Sequence, residues 1–388
     1  MEKAVIYLDN SATTCPSTAS LEKMREALSV SYGNAGSVHT MGNNAHKLLE
    51  SARNAVALSV GIRRPKDGTV IFTSSGTEAN NLAIFGSIEA KDRSQRGKIF
   101  ITDSEHPSVE ECAVKLSVHG FQVFRVPTKD GSLDLEYLKE NCDRETVLAS
   151  FMLVNNETGA LYSVKDAATI VRQAAPRAFI HCDAVQGYLK TPFTLKSLGV
   201  DAVTVSAHKI NGPKGAGALC VTEEVIRAKR LVPVTLGGGQ ENGFRSGTEN
   251  VPAIAAFGVA ATEGYKDFSE RAKKISALRS LLESELSGAV VINQPKKSID
   301  CIVSITLPQI KSETMLNFLS GEGICISAGS ACSARGQGVS RTLTAFGLSK
   351  ESADCTVRVS IGHLNTENEI VTFANTLKAG IQKLAKIK

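Results

Sequence analysis

A lysine at the end of a predicted strand is the residue of this chain best placed to act as a nucleophile. Lys209 closes the sequence SAHK, which follows the apolar run 202–205 and precedes a turn rich in glycine and proline. A lysine that is partly desolvated and lies beside another potential cation, here His208, has a lowered pKa and can form a Schiff base. Since a solvated lysine at a strand end has the same local sequence, the assignment depends on other residues.

An acidic residue at the end of an earlier strand supplies the second group. Residues 177–182 (RAFIHC) are typical of a buried strand, and Asp183 follows them. Because the carboxyl ends of strands in an open α/β sheet face one crevice, Asp183 and Lys209 are expected to lie together. Pyridoxal phosphate needs both groups, since a lysine holds its aldehyde and a carboxylate keeps its pyridine nitrogen protonated. Gln186 could then donate a hydrogen bond to the 3-oxygen of the ring.

A third stretch, residues 69–81 (TVIFTSSGTEANN), could bind the phosphate. A β-branched strand runs through Gly76 and Thr77 into a predicted helix. The free backbone N–H groups at that helix start, together with the Thr77 hydroxyl, form a site suited to an anion. An ordinary helix N-cap is the alternative, and the presence of Asp183 and Lys209 weakens it.

The elements that must position these residues follow from the apolar pattern. Strands are predicted near residues 69–74, 98–103, 121–126, 146–154, 177–182, 201–206 and 216–221, and helical segments separate most of them. This alternation is typical of an α/β fold with a mainly parallel seven-stranded sheet covered by helices on both faces. An amphipathic helix is predicted over residues 42–60.

The chain is expected to divide into two domains. Beyond about residue 255 the sequence becomes more helical and more charged, and a strand-like run follows at 301–307. We therefore predict a large α/β domain over residues 15–255 and a smaller α+β domain over residues 256–388.

Composition argues against several other classes of protein. The chain has 388 residues, 42% of them apolar, which is enough for a large core. Its net charge of +5 is spread without long runs of one sign, so neither nucleic acid nor a membrane surface is an expected partner. Residues 1–14 do not read as a signal peptide, and a soluble, cytoplasmic protein is expected. Nine cysteines without CxxC pairs indicate reduced thiols, so no disulfide or metal site is predicted.

Eight motifs, in order along the chain, carry a resemblance to one enzyme family. They are YLDNSATT (7–14), TSSGTEANN (73–81), SEHPSV (104–109), VNNETG (154–159), DAVQ (183–186), SAHKINGPKG (206–215), RSGTEN (245–250) and SAGSACS (327–333). With these motifs the sequence resembles the cysteine desulfurases of the nitrogen-fixation and iron–sulfur-cluster type. That group belongs to the class-V aminotransferases, within fold type I of the pyridoxal-phosphate enzymes. The resemblance covers nearly the whole chain.

The resemblance implies a bound pyridoxal phosphate held by Lys209, and an N-terminal arm, residues 1–14, that joins the smaller domain. It implies that His106 stacks on the pyridine ring and assists proton transfer, and that Asn156 lies near the 3-oxygen. Thr248 matches a threonine that reaches the phosphate of the neighbouring subunit, which implies a homodimer. The full set of implied cofactor-binding residues, with two further phosphate ligands at Ser206 and His208, is Gly76, Thr77, His106, Asn156, Asp183, Gln186, Ser206, His208, Lys209 and Thr248.

The resemblance also implies the substrate and the route of its sulfur. L-Cysteine would bind through its carboxylate to Arg358, whose guanidinium can hold a carboxylate bidentately, with Asn156 and Asn34 as further contacts. Cys332, in a glycine-rich loop that is expected to be mobile, would take the sulfur as a persulfide and leave L-alanine. The sulfur would pass to an acceptor protein, either an iron–sulfur scaffold or a thiolation enzyme. At position 363, often arginine in relatives, this chain has His363.

Other functions share part of this residue set. An aminotransferase or a selenocysteine lyase of the same fold would keep Lys209 and Asp183 but would not require Cys332. A non-catalytic scaffold would keep the fold alone, although such proteins usually lose the lysine or the acid. The sulfur acceptor and the activity on selenocysteine stay open at this point.

Overall fold

The computed structural model describes residues 5–90, 96–329 and 340–385, and its centre is a seven-stranded sheet. In these ranges the strands are β1 (Ile6–Tyr7), β2 (Thr69–Thr73), β3 (Lys98–Thr102), β4 (Gln122–Val126), β5 (Thr146–Met152), β6 (Phe179–Asp183), β7 (Ala202–Ser206), β8 (Gly217–Val221), β9 (Val291–Ile292), β10 (Ile302–Thr306), β11 (Ile324–Cys325) and β12 (Thr356–Ser360).

The helices follow the strands through most of the chain. They are α1 (Thr18–Ser29), α2 (Thr40–Ser59), α3 (Gly76–Glu89), α4 (Pro107–Val118), α5 (Leu135–Asn141), α6 (Val164–Ala174), α7 (Leu195–Leu198), α8 (Glu223–Arg227), α9 (Val251–Lys266), α10 (Phe268–Leu286), α11 (Ser312–Gly321), α12 (Arg341–Phe346), α13 (Lys350–Asp354) and α14 (Glu367–Ala385). The amphipathic helix predicted at 42–60 is α2, which buries one face, including Leu49 and Val56.

The central sheet has the strand order β2-β8-β7-β6-β5-β3-β4. Strand β8 runs antiparallel to β7 and β2, and the other adjacent pairs are parallel. Every residue of β5, β6, β7 and β8 is buried, as expected for strands covered on both faces. The predicted seven strands and the mainly parallel sheet are therefore confirmed.

Apolar layers cover the sheet on both sides. One cluster includes Phe72, Phe151 and Phe257, and α9 packs there against α1 and α2. The other includes Ile84 and Leu219, and there α3 packs against β7, β8 and α4. Strands β2 and β7 run in the same direction, because β8 is antiparallel to both. Since α3 begins shortly after β2 ends, its amino terminus lies at the edge of the sheet where β7 ends.

The last third of the chain builds a second, smaller sheet. Strands β9, β10 and β12 form an antiparallel sheet in which Ser304 pairs with Arg358. The amino-terminal strand β1 pairs in parallel with β11, and Leu8 joins the apolar cluster of this region. The predicted division into two domains stays a prediction, and its boundary at residue 255 falls within α9. Within the described ranges, no helix combines the length and apolar character needed to cross a bilayer.

Candidate active site

A cavity of about 280 Å³ lies where β6 and β7 end and α3 and α4 begin. It is the crevice at the carboxyl ends of parallel strands in which α/β proteins commonly bind ligands. The residues predicted from the sequence that line it are Gly76, Thr77, His106, Asn156, Asp183, Gln186, Ser206, His208, Lys209 and Arg358. The structure thus brings together side chains that are scattered over more than two thirds of the chain.

Lys209 lies in the single helical turn that follows β7, and its amine faces the amino-terminal arm. The amine donates hydrogen bonds to the backbone carbonyls of Ser11 and Ala12, the second at 2.8 Å. Burial, followed by the charges of the nearby Lys190 and Arg358, lowers the pKa of Lys209 to about 7. An amine with this pKa is partly neutral near pH 7 and is therefore a competent nucleophile and base.

Asp183, at the end of β6, is fixed by two donors. Its Oδ1 accepts from the backbone N–H of Val185 at 3.0 Å, and its Oδ2 accepts from Asn80 Nδ2 at 2.7 Å. Asn80 lies on the buried face of α3 and donates from the same nitrogen to Ser108 Oγ at 2.8 Å. The carboxylate is thus held in one orientation at the floor of the cavity.

The same hydrogen-bond chain continues to His106, which caps α4. Ser108 Oγ lies 2.8 Å from Nδ1 of His106, and the Ser108 backbone N–H donates to that nitrogen at 3.1 Å. Because Nδ1 accepts, the neutral ring carries its proton on Nε2. Burial lowers the pKa of His106, which favours this neutral form. Hydrogen bonds through Asn80 and Ser108 therefore link the Asp183 carboxylate to Nδ1 of His106. This link favours the His106 tautomer that carries its proton on Nε2.

The part of the cavity lined by Gly76, Ser206 and His208 has the character of an anion site. Gly76 is the first residue of α3, where backbone N–H groups have no partner within the helix. Ser206 Oγ is buried without a hydrogen-bond partner among the described residues. The His208 ring, whose pKa is lowered to about 3 by burial and by Lys209, lies 3.3 Å from Thr13 Oγ1. The first N–H groups of α3 and the Ser206 hydroxyl are thus available to an anion, and Asp183 is the only carboxylate among the described residues that line the cavity.

Arg358 enters the cavity from β12 of the smaller sheet, with only 2% of its surface exposed. Its Nη1 donates to the Asn156 carbonyl at 2.8 Å, and its Nη2 forms a 2.7 Å ion pair with Asp9 Oδ1. Its Nε is buried without a partner among the described residues. The guanidinium therefore has fixed neighbours and retains hydrogen-bonding capacity.

Gln186 contacts the amino-terminal arm and Lys190. Its Nε2 donates to the Ser11 carbonyl at 2.8 Å, and its Oε1 accepts from Lys190 Nζ at 3.1 Å. The side chain also lines the cavity, and its predicted contact with a ring oxygen stays a prediction. Sequence reasoning did not foresee the contact with the arm because the arm lies far away in the chain.

Two of the predicted residues, Asn34 and Thr248, do not line this cavity. Asn34 is exposed, and its Oδ1 accepts from the backbone N–H of Gly36 at 2.9 Å. Thr248 is also exposed. Cys332 lies outside the described residues. The roles predicted for these three residues stay predictions.

Several residues of the site were missed by sequence reasoning. They are Asp9, Ser11, Ala12, Asn80, Ser108 and Lys190. Asp9 and Ser11 belong to the YLDNSATT motif, and Asn80 and Ser108 belong to two other motifs. Their positions within these motifs could have identified them as site residues. Nothing in the local sequence separates Asn80 from its neighbour Asn81, which bonds to the Thr77 carbonyl.

Comparisons with known proteins agree with this geometry. Residues 6–373 match the family model "Aminotransferase class-V". The chain is 34% identical to "Cysteine desulfurase IscS 1" of Archaeoglobus fulgidus, covering 97% of each chain. It is also 34% identical to "Cysteine desulfurase 2" of Trichormus variabilis, covering 99% of this chain and 95% of the relative.

Solved structures give the same result. A "NIFS-LIKE PROTEIN" superposes with a TM-score of 0.90 at 35% identity, covering 98% of this chain and all of the other. A structure described as "SspA in complex with cysteine" superposes with a TM-score of 0.81 at 28% identity, covering 93% of this chain and 99% of the other. The chain belongs to the class-V aminotransferase family, in its cysteine desulfurase group.

Proposed function

We propose that this protein is a pyridoxal-phosphate-dependent cysteine desulfurase that converts L-cysteine to L-alanine and transfers the sulfur to Cys332 as a persulfide. The observation that carries the proposal is the placement of Lys209, Asp183 and Arg358 around one cavity. These groups supply an amine nucleophile, a carboxylate for a pyridinium nitrogen and a cation for an α-carboxylate. Relatives named cysteine desulfurase, and a similar protein described in complex with cysteine, support L-cysteine as the substrate.

The residues present fit pyridoxal phosphate. Ser206 Oγ, buried and unpartnered among the described residues, and the first N–H groups of α3 would hold the phosphate. A Cβ at Gly76 would lie 2.8 Å from Val185 Cγ2, so the close packing of α3 against the cavity wall requires glycine at this position. Lys209 would bind the aldehyde carbon, and Asp183 would lie at the pyridine nitrogen. Thr248 would reach the phosphate in the partner subunit of a homodimer.

When bound, the cofactor supplies an electron sink for the carbanion at the substrate Cα. Arg358 binds and orients the substrate carboxylate. Its buried Nε has no partner among the described residues and is therefore free to donate to that carboxylate. Lys209, with a pKa of about 7, accepts the Cα proton once its amine is free. Asp183, oriented by Asn80, keeps a proton on the pyridine nitrogen. His106, with its Nε2 proton directed away from Ser108, assists proton transfer.

Sulfur transfer then falls to Cys332. Its thiolate attacks the substrate sulfur, the Cβ–S bond breaks, and the electron pair stays with the carbon skeleton, which is released as L-alanine after protonation. The new S–S bond leaves a persulfide on Cys332. A reductant releases it as sulfide, and in the cell an acceptor protein, an iron–sulfur scaffold or a thiolation enzyme, takes it.

The arrangement also supports the predicted division of the chain into two domains, each of which contributes residues to the cavity. The large domain, residues 15–255, carries Lys209 and Asp183, whereas the smaller domain, residues 256–388, carries Arg358 and Cys332. The amino-terminal arm lies between them, since Ser11 contacts Lys209 and Asp9 contacts Arg358.

The test is to incubate purified protein with pyridoxal phosphate, L-cysteine and a reductant, and to measure sulfide and alanine together. We expect equal amounts from the wild type, loss of both with Lys209→Ala and Cys332→Ala, and no change with Cys15→Ala, which removes an exposed thiol. Alanine that survives the Cys332 change would indicate a lyase without a thiol carrier. The absence of both products would contradict the proposal.

A further inference from the structure

The catalytic cavity, which contains Asp183 and Lys209, adjoins a second cavity. Ser11 and Lys209 line both cavities, so the amino-terminal arm and the lysine lie between them. Helix α10 and the residues that follow β12 supply much of the remaining wall of the second cavity. Its volume is about 90 Å³. That is room for roughly six water molecules, so a ligand of this cavity must be small.

Arg271, on α10, lines the second cavity with its hydrogen-bonding capacity unused. Only 18% of its side chain is exposed. Its ion pair among the described residues is with Asp267, one turn earlier, and the separation of 3.7 Å is too long for a hydrogen bond. The guanidinium forms no hydrogen bond with any described residue. Since a guanidinium in such an enclosed position normally has acceptors, this one is available to a ligand.

Lys190 and Asp300 add a second cation and an anion to the wall. The Lys190 amine donates to the neutral Gln186 Oε1 at 3.1 Å and has no acidic partner among the described residues. Asp300 is exposed and also lines the cavity, yet it forms no ion pair with Arg271, Lys190 or any other described residue. Positive and negative groups therefore share one small cavity without neutralising each other.

The other titratable side chains of the cavity add little charge. Burial, followed by the charges of Arg271 and Lys274, lowers the pKa of His363 to about 4, so its ring is neutral near pH 7. The Lys209 amine already donates to the carbonyls of Ser11 and Ala12. The charges that a ligand meets are consequently those of the three side chains described above.

Much of the remaining wall is apolar. It includes Phe268 and Ile275 of α10, Ile361 after β12, and Ile210 after Lys209. An apolar surface with a few charged groups at its edge is typical of sites for small molecules that have both a charged and an aliphatic part.

We propose that the second cavity is a binding site for a small aliphatic α-amino acid in its zwitterionic form, distinct from the substrate site in the catalytic cavity. The carboxylate binds Arg271 and Lys190, the ammonium group faces Asp300, and the side chain lies against Phe268 and Ile275. A simple amine is repelled by the two cations, and a simple carboxylate leaves the acid without a partner. The inference does not depend on the proposed desulfurase function.

The experiment reads the two cavities separately. Holoenzyme with isotope-labelled isoleucine δ-methyl groups is titrated with L-alanine and with L-valine. Ile275 and Ile361 line the second cavity and not the catalytic one, and their NMR signals are assigned with Ile275→Val and Ile361→Val. The absorbance of the cofactor reports ligand in the catalytic cavity. Propionate, which lacks the ammonium group, and ethylamine, which lacks the carboxylate, are titrated in parallel.

The variants test each end of the ligand. Arg271→Gln removes the carboxylate site, and Asp300→Asn removes the partner of the ammonium group. Lys273→Gln is the matched control, because it removes one positive charge from an exposed position of the same helix. Cofactor absorbance at the wild-type level shows that each variant is folded.

We expect L-alanine to shift the Ile275 and Ile361 signals in a saturable way. Arg271→Gln should weaken this binding about tenfold or more, because hydrogen bonds between charged groups are lost. Asp300→Asn should weaken the binding of L-alanine but not that of propionate, ethylamine should not bind, and Lys273→Gln should match the wild type.

Three results would overturn the inference. They are the absence of a saturable shift with both amino acids, unchanged binding in Arg271→Gln, and binding of propionate as tight as that of L-alanine. None of them bears on the desulfurase function, which the formation of sulfide and alanine tests separately.

Discussion

The guanidinium of Arg358 and the carboxylate of Asp9 form a 2.7 Å ion pair that joins the smaller sheet to the amino-terminal arm at the cavity. A second donor of Arg358 is fixed by the Asn156 carbonyl at 2.8 Å. The side chain is almost completely buried, so these acceptors hold the planar group in place before any substrate carboxylate arrives. Such pre-orientation reduces the entropy lost when a ligand binds.

Arg358→Lys is expected to raise the KM for L-cysteine roughly tenfold to a hundredfold, with a smaller effect on kcat. A lysine keeps the charge but loses the planar fork, and a hydrogen bond to a charged group contributes about 1.5–3 kcal/mol. Steady-state alanine formation over a range of L-cysteine concentrations measures both constants. Arg279→Lys is the matched control, because Arg279 is also buried but bonds to the Ile299 carbonyl, outside the cavity. An unchanged KM in Arg358→Lys would exclude this arginine as the carboxylate site.

Lys190→Met is expected to raise the pKa of Lys209 above its value of about 7. After burial, the charge of Lys190 is the largest influence that lowers this pKa, so its removal stabilises the protonated amine. The neutral amine exists above the pKa, and the pH profile for covalent attachment of pyridoxal phosphate to apoprotein should therefore move to higher pH. Absorbance spectroscopy at a series of pH values gives the midpoint. Lys196→Met, which removes an exposed lysine, should leave the midpoint unchanged.

Asn80→Ala is expected to weaken the binding of pyridoxal phosphate about tenfold. The change leaves Asp183 Oδ2 and Ser108 Oγ without the donor that now lies 2.7 and 2.8 Å away, and an unsatisfied buried group costs about 1–3 kcal/mol. Equilibrium titration of apoprotein with the cofactor measures the dissociation constant. Asn81→Ala changes the adjacent asparagine, whose amide bonds only locally to the Thr77 carbonyl, and should have little effect. Equal effects of the two substitutions would refute a specific role for Asn80.

Glu105→Gln is expected to remove part of the pH dependence of stability. Burial, followed by the charge of Asp183, raises the pKa of Glu105 to about 8 from 4.5. The native state therefore holds a proton that the unfolded chain releases between these values, and stability falls as the pH rises, by up to about 1.4 kcal/mol per pH unit. Glutamine resembles the protonated form and cannot lose that proton.

The free energy of unfolding in urea at pH 5, 6.5 and 8 tests this. The variant should gain stability relative to the wild type as the pH increases. Glu111→Gln, on the exposed face of α4, serves as the control and should follow the wild type. Parallel pH profiles for the wild type and Glu105→Gln would show that Glu105 titrates normally.

The sheet could be predicted from the sequence because its strands are short, continuous apolar runs that are bounded by polar turns. Runs such as β5 and β7 carry that pattern within themselves, and their burial on both faces explains it. The reversed direction of β8 was not predicted, since direction depends on how the connecting segments cross the sheet. Lys209, Asp183 and His106 could be found because each lies at the end of a strand or a few residues beyond it, at the edge where ligands bind.

The contacts that tune these residues could not be predicted in the same way. Lys190 lowers the pKa of Lys209, and Asn80 orients Asp183, but both relationships depend on packing between elements that are distant in sequence. The same is true of the bond between the Gln186 amide and the Ser11 carbonyl. The predicted contact of Gln186 with a ring oxygen stays a prediction. Local patterns identify which side chains reach the cavity, and tertiary packing decides their partners.

The amino-terminal arm has a consequence for the order of folding. Asp9 and Arg358 are 349 residues apart in the sequence, and Ser11 and Lys209 are 198 residues apart. Contacts of such separation form slowly and depend on the prior folding of the intervening chain. During synthesis on the ribosome, Asp9 emerges early, but its contact with Arg358 can form only after β12 has been synthesised. The substrate pocket is thus completed late, and a prematurely terminated chain that lacks β12 never acquires it.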